Sequence, residues 1–222
     1  MESIERIYLD YAATSPIDPA VLESMLPFLK SKFGNSASLH SYGQEAYSAL
    51  EESRKTIADA LHAKPREIIF SSSATESNNL ALKGVALANR EKGRHIIISS
   101  VEHDCVINSA KWLEKMGFSV TKVPADKFGM ISANEVKKAI RDDTILVSVM
   151  HANNEIGTIN PIAEIGRACR EKGIYFHTDA SQSFGKIPIN VEKMNIDLLT
   201  ASSHKMYGPK GAALLYVREG IN

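Results

Sequence analysis

Several things are scarce in this 222-residue chain. It carries two cysteines, Cys105 and Cys169, too few for a disulfide framework and without metal-ligand spacing. Both are expected as reduced thiols in a cytoplasmic protein. Neither sign of charge is in excess: Lys+Arg and Asp+Glu are both 26, so no general attraction to nucleic acid or to a membrane is implied. No apolar run approaches membrane-spanning length, and the stretch from Met1 to Pro16 is acidic early, without the apolar core of a signal peptide. Internal repeats, low-complexity tracts and interdomain linkers are missing. So are GxxxxGK[ST] and GxGxxG, the two common nucleotide-phosphate signatures. What remains is 44% apolar and long enough for one α/β domain with a well-buried core.

The part that is present is an ordered alternation. Ile7 to Ala13 reads as a short extended piece leading to Ser15-Pro16. Asp18-Pro19 is an N-cap followed by proline in the first turn, opening a helix to about Lys32. From Ser41 to Leu61 the residues Ala46, Ala49, Leu50, Ile57 and Leu61 fall near helical spacing. After Pro65 come short apolar runs: Glu67-Ser71, His95-Ser99, Phe118-Val123, Ile145-Met150, Ile174-His177, Ile196-Ala201 and Ala212-Val217. Helical stretches lie between several of them, at Glu76-Arg90, Asp104-Met116, Ala133-Arg141 and Ile162-Lys172. Such alternation predicts an α/β fold, a mostly parallel sheet with helices on both faces. The last run follows Gly208-Pro209-Lys210-Gly211 too closely for a crossover helix, so it is expected antiparallel to its predecessor. The expected organisation is one domain over 1–222, with the segment 1–63 packing on it.

In an open α/β sheet, ligands bind outside the carboxyl ends of the strands. Five such ends carry chemistry here. Ser71 to Asn79, entering a helix, offers small hydroxyls and free backbone N–H groups around Ala74 and Thr75, a cradle for a small phosphate. A plain N-cap by Ser73 or Thr75 is the simpler reading. His103, in Ser99 to Cys105, is able to stack on a flat ligand or shuttle a proton, or it is an incidental residue of a capping loop. Asn154 is able to bond a phenolic oxygen without adding charge, or it belongs to a polar turn. Asp179, directly after a buried strand, needs a cation to offset its desolvation, and a protonated pyridine nitrogen is one. A helix N-cap is its other reading, which leaves Gln182, His204 and Lys205 unexplained. The fifth end is Thr200 to Gly211. Lys205, carried past a buried strand with Ser202, Ser203 and His204 beside it, is placed to act as a neutral amine. The combination suggests a Schiff-base lysine for pyridoxal phosphate, set against an ordinary surface lysine.

The segments YLDYAATSP, FGNSASLHSYGQEA, SSSATESNNLALKG, SSVEHDCV, VMHANNEIGTINPI, FHTDASQSFGKIPI and TASSHKMYGPKGAALLYVR resemble the NifS/IscS-type cysteine desulfurases. These are class V enzymes of fold type I that use pyridoxal 5'-phosphate. The resemblance runs from about Tyr8 to Val217 in order, and implies the large domain of such an enzyme. It implies that Lys205 forms the Schiff base and that His103 stacks on the ring and joins in proton transfer, the two being the catalytic residues. Asp179 would pair with the pyridine nitrogen. Gln182 and Asn154 would meet the phenolic side of the ring or the substrate. Thr75, the backbone at Ala74, Ser202 and His204 would hold the phosphate. The implied substrate is L-cysteine, converted to alanine while its sulfur passes to an enzyme persulfide. From there it goes to an acceptor such as an iron–sulfur scaffold or a tRNA-thiolation protein. A homodimer is implied too.

The family's catalytic cysteine lies on a loop well after the lysine, and its C-terminal small domain carries the arginine for the substrate carboxylate. Neither region falls within this sequence. The expectation is therefore a chain truncated before that cysteine and unable to make a persulfide alone. Cys105 and Cys169 match no family nucleophile; Cys169 is expected as a packing residue. Two alternatives stand beside this reading. One is another class V enzyme such as selenocysteine lyase, and the other is a non-catalytic module that pairs with a larger desulfurase.

Overall fold

A computed structural model describes residues 6–221. The sequence readings that reach Met1 to Glu5 or Asn222 lie partly outside those residues. Two helices come first, α1 (Pro19–Lys30) and α2 (Ser41–Leu61). They are followed by β1 (Ile68–Ser71), α3 (Ala74–Ala88), β2 (His95–Ser99), α4 (Asp104–Lys115), β3 (Ser119–Val123) and α5 (Ala133–Ala139). Next come β4 (Thr144–Ser148), α6 (Ile162–Glu171), β5 (Tyr175–Asp179), β6 (Leu198–Ser202) and β7 (Ala213–Val217). The strands form one seven-stranded sheet in the order β1-β7-β6-β5-β4-β2-β3. From β6 to β3 every pairing is parallel. β7 runs antiparallel to both β6 and β1, as the short connection before it requires. β1 thus points the same way as β6, and its carboxyl end lies on the same edge.

The central strands β2, β4 and β6 are buried along their length because helices cover both faces. Ile97, Val147, Leu199, Leu214 and Tyr216 join one core with Ala58 and Leu61 of α2, Val136 of α5, and Ile162, Ile165 and Cys169 of α6. Their neighbours Ile96, Ile98, Leu146, Leu198 and Leu215 join the other, with Ala81, Leu82 and Val85 of α3 and Val106, Ala110 and Leu113 of α4. The period of two places successive residues in opposite layers. Cys169 is fully buried in the first layer. α1 buries none of its residues, although Asp18 caps it by accepting from the Ala20 N–H at 2.8 Å.

Three boundaries differ instructively from the sequence expectation. α3 begins at Ala74 rather than Glu76, because the Ser73 hydroxyl accepts the Glu76 N–H at 3.1 Å and starts the helix early. β5 and β6 run past their apolar stretches to Asp179 and Ser202, with Asp179 in register with Thr200. Ladder pairing does not require apolar side chains, only that buried polar ones find partners. Thr178 Oγ1 donates to the Val149 carbonyl at 2.8 Å. His177 lies between Ser148 Oγ at 2.8 Å and Thr200 Oγ1 at 3.4 Å, linking β4, β5 and β6.

His177 is fully buried, and desolvation holds its pKa well below the usual 6.5, Asp179 opposing in part. A depressed imidazole contributes stability above pH 6.5 that is lost as pH falls through the folded value. His177→Gln is expected to be less stable than the parent at pH 7 by roughly 1–3 kcal/mol. Denaturant titrations should show that gap narrowing toward pH 4; a gap independent of pH would contradict the assignment.

Candidate active site

The carboxyl edge of the sheet opens into a cavity of about 510 Å³. All nine residues singled out from the sequence line it: Ala74, Thr75, His103, Asn154, Asp179, Gln182, Ser202, His204 and Lys205. Asp10, Ala12, Ala13, Cys105, Glu155 and Ser181 complete much of the wall. The wall is built from strand ends, helix starts, the turns after β4 and β5, and the N-terminal segment. Ala74 and Thr75 open α3, whose free N–H groups give that end of the cavity a positive character. Ser202 ends β6, and a single 3₁₀ turn, Ser203–Lys205, places His204 and Lys205 beside it.

Asp179 is 5% exposed at the end of β5. Its Oδ1 accepts the Ser181 N–H at 2.9 Å and its Oδ2 accepts from Asn78 Nδ2 at 2.7 Å. The same amide nitrogen lies 3.1 Å from Cys105 Sγ, which lies 3.0 Å from His103 Nδ1. His103 is the N-cap of α4, with Nδ1 accepting the Cys105 N–H at 3.2 Å. An accepting Nδ1 assigns the proton of the neutral ring to Nε2. One hydrogen-bond chain thus runs from Asp179 through Asn78 and Cys105 to His103. Burial pushes the Cys105 thiol up to about 11, the Asn78 hydrogen bond opposing, so it stays protonated and is a poor nucleophile.

Lys205 Nζ donates to the carbonyls of Ala12 at 2.6 Å and Ala13 at 2.7 Å. Gln182 Nε2 donates to the Ala12 carbonyl as well, at 2.8 Å. Desolvation lowers the Lys205 pKa, helped by Lys186 and opposed by Asp179, Asp10 and Glu155. His204 is lowered by burial and by Lys205 and Lys210, and its Nδ1 lies 3.1 Å from Thr14 Oγ1. Asn154 Nδ2 donates to Glu155 Oε1 at 2.7 Å. The cavity wall therefore combines the free N–H groups of a helix start, a buried carboxyl group and an amine of reduced basicity. The Ser181 hydroxyl, buried in the same wall, has no hydrogen-bond partner among the described residues. Among the described residues, no group of three or more His, Cys, Asp and Glu side chains is placed to hold a metal ion.

Three participants escaped the sequence reading. Asn78 lies one turn after Ala74 on the face of α3 that also carries Leu82 and Val85, and a polar residue on that apolar face was the available signal. The carbonyls of Ala12 and Ala13 carry no side-chain signature. Glu102 lies one residue before His103, in the loop that caps α4, where residue type alone carries no signal. Its Oε1 accepts from Ser99 Oγ at 2.6 Å and from the Met150 N–H at 2.7 Å, tying the end of β2 to the segment after β4.

A family model described as aminotransferase class-V matches residues 7–222. The cysteine desulfurase IscS of Dictyoglomus turgidum is 55% identical over 214 residues, which are 96% of this chain and 54% of that relative. A solved structure titled as a NifS-like protein superposes with a TM-score of 0.95 at 42% identity, covering 98% of this chain and 60% of the other. Another, titled SspA in complex with cysteine, gives a TM-score of 0.93 at 48% identity, covering 96% and 61%. The chain spans about half the length of the curated relatives it matches.

Glu102 carries a sharp pH expectation. Burial raises its carboxyl to about 8; the Ser99 and Met150 hydrogen bonds oppose this, and Asp179 adds to it. A raised folded pKa means stability fully present below the unfolded value of 4.5 and lost as pH rises through 8. Glu102→Gln keeps the accepting oxygen and cannot ionise. It should match the parent at pH 4 and exceed it by about 2–4 kcal/mol at pH 9. Urea titrations at the two pH values measure this, and a variant that loses ground as pH rises would refute it.

Proposed function

The chain belongs to the aminotransferase class-V family, and we propose that it forms the pyridoxal phosphate-binding portion of a cysteine desulfurase. One observation carries the reading: a single cavity gathers Lys205, Asp179 and His103 with the N-terminus of α3. The residues present fit the cofactor. The Ala74 and Thr75 N–H groups, with Ser202 and His204, would hold its phosphate. Asp179, fixed by Asn78 and the Ser181 N–H, would pair with the pyridine nitrogen and keep it protonated. Ser181 Oγ, without a partner among the described residues, would be able to bond a ligand oxygen. Pyridoxal phosphate supplies an aldehyde that reacts with amines and a ring that accepts electrons.

The rest is work for the chain's own side chains. Lys205 would hold the cofactor and, once displaced by the substrate amine, would act in its neutral form as the base that takes the substrate's Cα proton. His103 supplies a flat imidazole for the ring face and a second proton carrier. Asn154 and Gln182 orient the phenolic side or the substrate. L-Cysteine is the proposed substrate, supported by the structure titled as a complex with cysteine. The sulfur would pass to a cysteine thiolate other than Cys105 and Cys169. The substrate C–S bond would break as the S–S bond forms, its electron pair staying with the carbon fragment that becomes alanine. The persulfide would then serve an iron–sulfur or tRNA-thiolation acceptor, from a homodimer in the cytoplasm. Cys105 and Cys169 have no part in that transfer, since burial pushes their thiols up to about 11 and about 12.

Adding pyridoxal phosphate to the purified chain should produce a yellow, saturable absorption band, and L-cysteine should shift it. Lys205→Ala should stay colourless. Asp179→Ala should bind at least about tenfold more weakly through loss of the charge partner. An unchanged band in Lys205→Ala would overturn the reading.

A further inference from the structure

Ser15 stands 189 residues before His204 in sequence, is 8% exposed, and reaches the lysine turn from the other end of the chain. Its backbone N–H and its hydroxyl both donate to the His204 carbonyl, at 2.9 and 3.0 Å. The same hydroxyl accepts the Tyr207 N–H at 2.8 Å. A serine hydroxyl has one proton to give and lone pairs to accept with, so it is engaged both ways. These bonds bracket Lys205 and Met206. Tyr207 adopts φ of +64°, a left-handed conformation unfavourable for a residue with an aromatic side chain. The Asp18 N–H donates to the Tyr207 carbonyl at 3.0 Å, so the strained residue is held at both ends by the N-terminal segment. The turn's own bonds, from the Met206 and Gly208 N–H groups to the Ser203 carbonyl, leave the Tyr207 N–H to Ser15.

We propose that Ser15 is a positioning residue for Lys205, its hydroxyl locking the turn from which the amine projects into the cavity. The inference rests on the reading of Lys205 as the reactive amine. Its backbone part stands independently, because the clamp grips the turn and not the side chain. Ser15→Ala keeps the backbone donor and removes only the hydroxyl, while Ser15→Thr restores it.

The test uses the full chain. Hydrogen–deuterium exchange at the Tyr207 amide should be about tenfold faster in Ser15→Ala, the loss of roughly one hydrogen bond's net worth, and near wild type in Ser15→Thr. Borohydride trapping of pyridoxal phosphate on Lys205, quantified by peptide mass, should slow about tenfold in the same variant. Ser132→Ala, which removes the N-cap of α5, controls for lost stability and should change neither readout. If Ser15→Ala does not fold, Ser15→Cys, with its weaker donor and acceptor, is read in its place. Faster exchange with no trapping even in the wild type sinks the cofactor reading and keeps the clamp. Wild-type exchange and trapping in the Ser15 variant, or equal effects in Ser132→Ala, overturn the proposal.

Discussion

Burying both faces of a parallel sheet leaves polar chemistry one place to go, the edge where the strands end. β2, β4 and β6 are buried along their whole length, and the two layers of helices leave no open face between them. Backbone donors from the helix that follows a strand converge on that edge, as do side chains one or two residues past the ladder. Thr75, His103, Asp179 and Lys205 come from four different elements yet face one cavity for this reason. β7 contributes by returning antiparallel next to β6, so that the lysine turn is a hairpin closed at both ends rather than a loop leading to a helix.

The electrostatics of that edge are balanced against burial. Asp179, shielded as it is, has both oxygens satisfied, by Asn78 Nδ2 and by the Ser181 N–H. Glu102, nearby and with no donor to its second oxygen among the described residues, is driven toward its neutral form. Glu102 thus acts as a neutral tie between segments, while Asp179 lines the cavity beside it. Lys205 sits on the opposite side of the balance, its ammonium weakened by desolvation and by Lys186 while two carbonyls of the N-terminal segment receive its protons.

Much of this was legible in the sequence, for identifiable reasons. Apolar runs separated by helical spacing reported the sheet, and the absence of a crossover before Ala212 reported the antiparallel return of β7. The residues after each run reported the cavity wall, because residue type and position after a strand suffice to place them. The ends of β5 and β6 were less legible, since polar residues such as Asp179 continue a ladder without an apolar signal. Asn78 meets a partner 101 residues away, and the carbonyls that receive Lys205 belong to alanines whose side chains announce nothing. Contacts made by backbone atoms across such separations exist only in three dimensions.

The central claim is that Lys205 is the amine that joins pyridoxal phosphate. The direct measurement is borohydride reduction of the chain mixed with the cofactor, followed by peptide mapping. The account predicts one reduced adduct, on the peptide carrying Lys205. An adduct confined to Lys186 or Lys210, or spread over surface lysines, would contradict it.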